Sequence, residues 1–138
     1  MKKVLLFLVP ILLLIVVITF IYFDDGKQVE NFDLGYKIDE ESQKMEKTKE
    51  PLDLEKKILV SVDYQYPKDM NNEELVMRKL IVKKSKTEEI VFEKHWEEDN
   101  ITSGYSFSLD ITKLNKGTYK IQLYKNNKLV KEKTYEFS

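Results

Sequence analysis

The chain has 138 residues, with 23 basic and 24 acidic side chains, one histidine and no cysteine. A formal net charge of −1 indicates no strongly basic face, so we expect no nucleic-acid partner. The lack of cysteine excludes disulfides, thiol catalysis, thiolate metal sites and membrane attachment through an acylated cysteine.

The sequence opens with two lysines and continues with an apolar run from Val4 to Phe23. A helix of that length spans roughly 30 Å, which is the thickness of the hydrocarbon layer of a bilayer. Cleaved signal peptides have a shorter apolar core that ends at small residues, whereas this run ends in bulky residues. We therefore predict an uncleaved transmembrane signal anchor over residues 4–23.

The charges that flank the run predict its orientation. Lys2 and Lys3 precede it and Asp24 and Asp25 follow it, and basic residues next to a span stay preferentially on the cytoplasmic side. We expect residues 1–3 to form a cytoplasmic stub and the C-terminal part to be extracytoplasmic. The expected location is the cell membrane, crossed by a single span.

Residues 24–56 are rich in acidic and basic side chains and poor in large apolar ones. Such a segment buries too little apolar surface to offset its chain entropy, so we predict a charged flexible stalk. One alternative stays open, because Phe32, Leu34 and Tyr36 alternate with polar residues and would suit an edge strand.

Residues 57–138 show the alternation of strands with one buried face, and we assign them to one extracytoplasmic domain. Ile58, Val60, Val62 and Tyr64 form the first inward row. Residues 75–83 suit a strand or a short helix, with the strand favoured by their β-branched end. The later inward rows are Ile90, Phe92 and Trp96; Tyr105, Phe107, Leu109 and Ile111; and Tyr119, Ile121 and Leu123. The sequence therefore predicts an all-β fold, a small antiparallel sandwich of six to seven strands.

The last thirty residues contain Leu114-x-x-Gly117-x-Tyr119-x-Ile121, then a hairpin turn at Asn126-Asn127 and a final strand with aromatic residues at its end. This pattern resembles the closing strands of immunoglobulin-like and fibronectin-III-like sandwich domains of bacterial surface proteins. The resemblance implies that Tyr119 is a structural tyrosine corner that bonds back to the preceding turn. Ile121 stands where the immunoglobulin pattern has a core cysteine, and Trp96 is a candidate for the core tryptophan.

The residues that could carry chemistry are few. His95 is the lone histidine and falls on the polar side of its strand, and no serine lies in a nucleophile motif. The acidic stretch Glu97 to Asn100 lacks the glycine turn and closing glutamate of a calcium loop, so we interpret it as a solvated polar loop. We expect no catalytic residue, no metal site and no cofactor, and hence no enzyme.

The expected function is contact rather than catalysis. We predict a single-pass membrane protein that presents an immunoglobulin-like domain to a protein or cell-envelope partner, with Trp96 and Tyr124 as the candidate interaction surface. An alternative is a subunit of a secretion or pilus-like membrane assembly, although the apolar run lacks the acidic residue of prepilins. An envelope enzyme has the least support.

Overall fold

The computed structural model of the chain describes residues 30–64, 75–99 and 104–138. It contains seven strands: β1 Asn31–Gly35, β2 Leu59–Asp63, β3 Leu75–Lys84, β4 Ile90–Asp99, β5 Gly104–Ser108, β6 Gly117–Lys125 and β7 Lys128–Phe137. They form two antiparallel sheets with the strand orders β1-β2-β5 and β4-β3-β6-β7. The predicted all-β fold of six to seven strands is confirmed, and so is the strand over residues 75–83.

The predicted anchor over residues 4–23 and the stub over residues 1–3 lie outside the described residues. Within the described ranges, there is no helix long and apolar enough to cross a bilayer.

One apolar core joins the inner faces of the two sheets. Val60 and Val62 of β2 and Leu80 and Val82 of β3 are completely buried in the same contact cluster, because alternate residues of a strand point to the same face. Other fully buried members of this cluster are Phe32, Ile58, Ile121 and Leu123. The two sheets therefore pack face to face, as in a sandwich.

The inward row of β4 differs from the predicted one at its first residue. Ile90 is 52% exposed and Val91 is buried, although the alternation predicts the opposite. The register between β3 and β4 shifts between Val82 and Lys83, where Val82 pairs with Phe92 and Lys83 pairs with Ile90. An extra residue at such a bulge reverses which side chains face the core.

The described part of the predicted stalk belongs to the fold, which corrects the flexible stalk expected over residues 24–56. Phe32 and Leu34 lie in β1, which pairs with β2, and they are 0% and 4% exposed. Leu52 is also buried, and its backbone N–H donates to Glu136 O at 2.7 Å. The alternative edge strand is observed at Phe32 and Leu34, whereas Tyr36 follows the end of β1. Phe32, Leu34 and Leu52 bury their side chains in the core and so hold this charged segment to the sheets.

Residues 37–48 form a strap that leaves β1 and folds back on itself. Its two limbs are joined by a bridge between Ile38 and Met45 and by the bond from Glu46 N–H to Lys37 O, at 2.9 Å. The strap lies over the outer face of the three-stranded sheet. It packs so closely against Gly35 that a side chain at this position would collide with it. A Cβ atom at Gly35 would lie 2.7 Å from Met45 Sδ and 2.8 Å from Thr48 Oγ1.

The antiparallel pairing collects the starts of β1, β3, β5 and β7 at one end of the sandwich. We call this the Glu30 end, because Glu30 precedes β1 there. Lys84, Ile90 and the end of β7 lie at the opposite end.

Candidate functional site

A buried group of charged and aromatic side chains lies at the Glu30 end. Arg78 of β3 is at its centre and its side chain has no exposed surface. Its Nη2 atom donates to Glu30 Oε1 and its Nε atom to Glu98 Oε1, both at 2.9 Å. Both carboxylate side chains are only 5% exposed. We call this group, together with the three neighbours described next, the Arg78 cluster.

Tyr64, Trp96 and Lys125 complete the Arg78 cluster. The guanidinium carbon of Arg78 lies 4.2 Å from the centre of the Tyr64 ring, and Trp96 Nε1–H is shared between the Tyr64 hydroxyl at 3.2 Å and Glu98 Oε2 at 3.3 Å. Burial and the nearby Glu98 charge raise the pKa of Tyr64. Burial also lowers the pKa of Lys125, whose Nζ lies 3.9 Å from Glu30. The low polarity of the site therefore disfavours the charged form of any group that has no opposite charge close to it.

The position of Glu98 corrects the solvated polar loop expected at Glu97 to Asn100. Glu97, Glu98 and Asp99 continue β4, and Glu98 is buried at 8% exposure. Glu98 is buried because its carboxylate pairs with Arg78. Arg78 is opposite Trp96 in the register, so its side chain lies on the same inner face as Glu98. Alternation alone places Arg78 in the same row as Val76, Leu80 and Val82, which are apolar. A charged residue in such a row is a sequence signal from which a buried charge could have been predicted.

The Arg78 cluster is a structural group rather than a reaction centre. Its guanidinium is enclosed, and its charged partners come from residues 20 and 48 positions away along the chain. Buried ion pairs hold their geometry because separating them would leave an uncompensated charge in a medium of low polarity. The cluster therefore fixes Glu30, and with it the start of the domain, to β3 and β4.

The two residues of the candidate interaction surface lie on opposite faces of the four-stranded sheet. Trp96 pairs with Arg78 and faces inward, and its ring stacks on Tyr105 with 4.9 Å between centroids. Tyr124 pairs with Lys79 on the outer face, where Lys79 Nζ lies 4.6 Å from the centre of its ring. These residues therefore do not share one surface.

Three exposed apolar side chains accompany Tyr124 at the Glu30 end. Leu75, Met77 and Leu129 are 66%, 55% and 45% exposed, and Leu129 pairs with Tyr124 in the register. We call these four residues the apolar patch. Beside it is an open pocket of about 260 Å³, with Met77, Lys79, His95 and Asn127 in its wall. Composition and alternation do not predict this patch, because the outward face of a strand is expected to be polar.

His95 has an exposed side chain, and its Nε2 lies 2.8 Å from Glu93 Oε1. In the described ranges, His, Asp and Glu side chains form no group of three that suits a metal ion.

Tyr119 is a buried residue near the start of β6, and it bonds to the turn that precedes this strand. Its hydroxyl accepts a hydrogen bond from Asn115 N–H at 3.0 Å and donates one to Asn115 O at 3.1 Å. Its ring meets Phe137 edge to face at 5.4 Å. These contacts connect the turn, β6 and the end of β7.

A second, more polar groove of about 390 Å³ lies between the strap and the outer face of β2 and β5. Ser42 and Lys44 line one wall, and Ser61, Asp63 and Ser106 line the other. Burial and the Asp33 charge raise the pKa of Asp63.

Comparisons with protein-family models, with curated proteins and with solved structures found no match to this chain.

Proposed function

We propose that this is a single-pass membrane protein that presents an immunoglobulin-like sandwich outside the cell for contact with a protein or envelope partner. The main observation in support of this proposal is the short connection between the apolar run and the domain. Only residues 24–29 separate the end of the run at Phe23 from Glu30, which is already fixed in the Arg78 cluster. A chain built in this way would hold a folded domain directly beside a span.

The immunoglobulin-like part of the proposal is supported by the strand order. In constant-type immunoglobulin domains the first, second and fifth strands share one sheet, and the third, sixth and seventh share the other. The sheets here contain β1-β2-β5 and β3-β6-β7, and β4 is added beside β3. The hydrogen bonds of Tyr119 to Asn115 are those that a tyrosine corner would make.

We assign the partner contact to the outer edge of β4. This strand is ten residues long, and among the described strands it pairs with β3 alone. An extended partner segment that pairs with such an edge gains main-chain hydrogen bonds, and side chains along the strand select the partner. The exposed residues Glu93, His95 and Glu97 alternate along this strand, so they provide a polar row for that selection.

Topology in cells tests the membrane part of the proposal. Because the chain has no cysteine, single-cysteine variants report one position each. Lys86→Cys, at an exposed turn, is expected to react with a membrane-impermeant thiol reagent in intact cells, whereas Lys3→Cys is expected to react only after lysis. Equal protection of both positions, or release of the chain by alkaline carbonate, would contradict the proposal.

Site-specific photo-crosslinking tests the contact. A photoreactive residue at His95 is expected to trap a discrete envelope partner in living cells, and the same residue at Thr118, which is exposed on β6, serves as the matched control. Equal crosslinking from both positions would remove the assignment to β4.

A further inference from the structure

The start of the domain is fixed close to the end of the predicted span. Glu30 forms an ion pair with Arg78 at 2.9 Å and its side chain is 5% exposed. Its position in the domain is therefore fixed, and it does not lengthen the connection. Seven Cα-to-Cα steps from Phe23 to Glu30 reach at most about 25 Å when fully extended, and less on average. Residues 30–56, which a flexible stalk would use as further length, belong to the fold. They form β1 and the strap, and then Leu52 and Leu54 hydrogen-bond to the end of the chain at Glu136 and Ser138.

This connection determines which end of the sandwich is nearest to the bilayer. Glu30 lies at the end where β1, β3 and β7 begin, and Lys125 at the end of β6 is 3.9 Å from it. The opposite end is about 30 Å away along the ten-residue β3, at roughly 3.3 Å per residue. If residues 4–23 span the bilayer, the Glu30 end is therefore the end of the domain that the connection keeps nearer to the membrane.

Exposed apolar side chains are concentrated at this same end. Among the described residues, four large apolar side chains are strongly exposed, and Leu75, Met77 and Leu129 of the apolar patch are three of them. Ile90, the fourth, lies toward the opposite end. Tyr124 adds an aromatic ring with a hydroxyl group, which is the kind of side chain that favours the interface between lipid and water.

Resting on the proposed function, we propose that the apolar patch docks on the outer lipid interface of the membrane that holds the anchor. Burial of Leu75, Met77 and Leu129 among headgroups and upper acyl chains removes apolar area from water. The connection keeps the patch within reach of the bilayer at all times, so weak contacts suffice. Glu97 and Asp99 lie opposite Met77 and Leu75 in the register, so the docking depends on apolar contact rather than on attraction to anionic headgroups.

Lipid quenching of single fluorophores tests this orientation in the full chain. Met77→Cys and Leu129→Cys, and Ile90→Cys as the matched exposed control, are each labelled with an environment-sensitive dye. The labelled chains are reconstituted in phosphatidylcholine vesicles that contain nitroxide-labelled lipid. We expect several-fold stronger quenching at positions 77 and 129 than at position 90. Equal quenching at the three positions, or none at 77 and 129, would overturn the docking.

A fourth variant separates the docking from the anchor. Val16→Cys lies in the middle of the apolar run and is expected to be quenched by a nitroxide placed deep in the acyl chains. Quenching at position 16 without quenching at 77 and 129 overturns the docking alone, and leaves the patch as a surface for a protein. A lack of quenching at position 16 overturns the anchor and the docking together.

Discussion

Arg78 places a charged guanidinium inside the sandwich, between Glu30, which precedes β1, and Glu98 in β4. Both ion pairs are buried, so water cannot solvate the charge that remains when one partner of a pair is removed. The stacked Tyr64 ring adds a third contact to the same group.

Replacement of Arg78 by methionine keeps the length of the side chain and removes its charge. Because Glu30 and Glu98 then lose their buried ion pairs with Arg78, we expect the free energy of unfolding to fall by about 3–5 kcal/mol. The measurement is urea denaturation of the protein in micelles, followed by the fluorescence of Trp96, the one tryptophan of the chain. Lys84→Met breaks an exposed pair with Glu89 and is expected to have a far smaller effect. Similar losses in both variants would contradict a special role for the Arg78 cluster.

Tyr119→Phe removes the hydroxyl by which a buried side chain of β6 bonds to the preceding turn. Two hydrogen bonds to the Asn115 backbone are lost, so we expect a destabilisation of about 1–2 kcal/mol with no change of fold. Tyr124→Phe is the matched control, since its hydroxyl bonds to the side chain of Gln122 at a partly exposed position. Denaturation midpoints compare the two variants. If Tyr124→Phe destabilises the protein as much as Tyr119→Phe, the hydroxyl of Tyr119 has no particular structural role.

At the scale of elements, alternation predicts the central strands well and the outer ones poorly. Val60, Val62, Ile121 and Leu123 are correctly placed, because both neighbours of a central strand require the same apolar face. The strand β1 is hidden in an acidic segment, where Phe32 and Leu34 give a row of only two buried residues. Local sequence cannot decide between a stalk and a strand when the deciding contacts lie far along the chain.

The Arg78 cluster shows the same limit for the candidate site. Arg78 falls in a buried row by alternation, but its partners lie 48 and 20 residues away. Pairing across such separations depends on the sheet order and on a register that includes one bulge. Without knowledge of that register, an acidic stretch such as Glu97 to Asp99 is interpreted as a solvated loop.

Gly35→Ala tests whether the strap is a packed element. The added methyl group would lie within 3 Å of side-chain atoms of Met45 and Thr48, so these side chains must shift, and we expect the strap to loosen from the sheet. We expect faster tryptic cleavage after Lys37, Lys44 and Lys47, with a smaller decrease in global stability, since the core itself is intact. Cleavage is monitored by mass spectrometry.

The double variant Gly35→Ala/Met45→Ala is the control for this experiment. It removes the nearest contact of the new methyl group and is expected to restore part of the protection. Unchanged cleavage in Gly35→Ala would show that the strap does not lie against Gly35 in solution.

At the scale of the whole molecule, the proposed function makes the position of the sandwich depend on its connection to the anchor. Among the described residues, Glu30 is held by ion pairs with Arg78 and Lys125, which both belong to the domain. We therefore expect the length of the segment 24–29 to set the distance of the domain from the membrane, and the stability of the sandwich to be independent of that length.

A flexible insertion between Phe23 and Asp24 separates these two effects. A glycine-serine segment of about twenty residues lowers the effective concentration of the domain at the bilayer, because the end-to-end distance of a flexible chain grows with the square root of its length. We expect lipid quenching at Met77→Cys to decrease, while the unfolding midpoint followed by Trp96 stays the same. A fall in the midpoint would mean that the span helps to fold the sandwich, since no contact inside the domain is changed by the insertion. Quenching that does not decrease would mean that the patch binds lipid strongly enough to need no tether. In this second case the short connection would lose its role in setting the orientation of the Glu30 end.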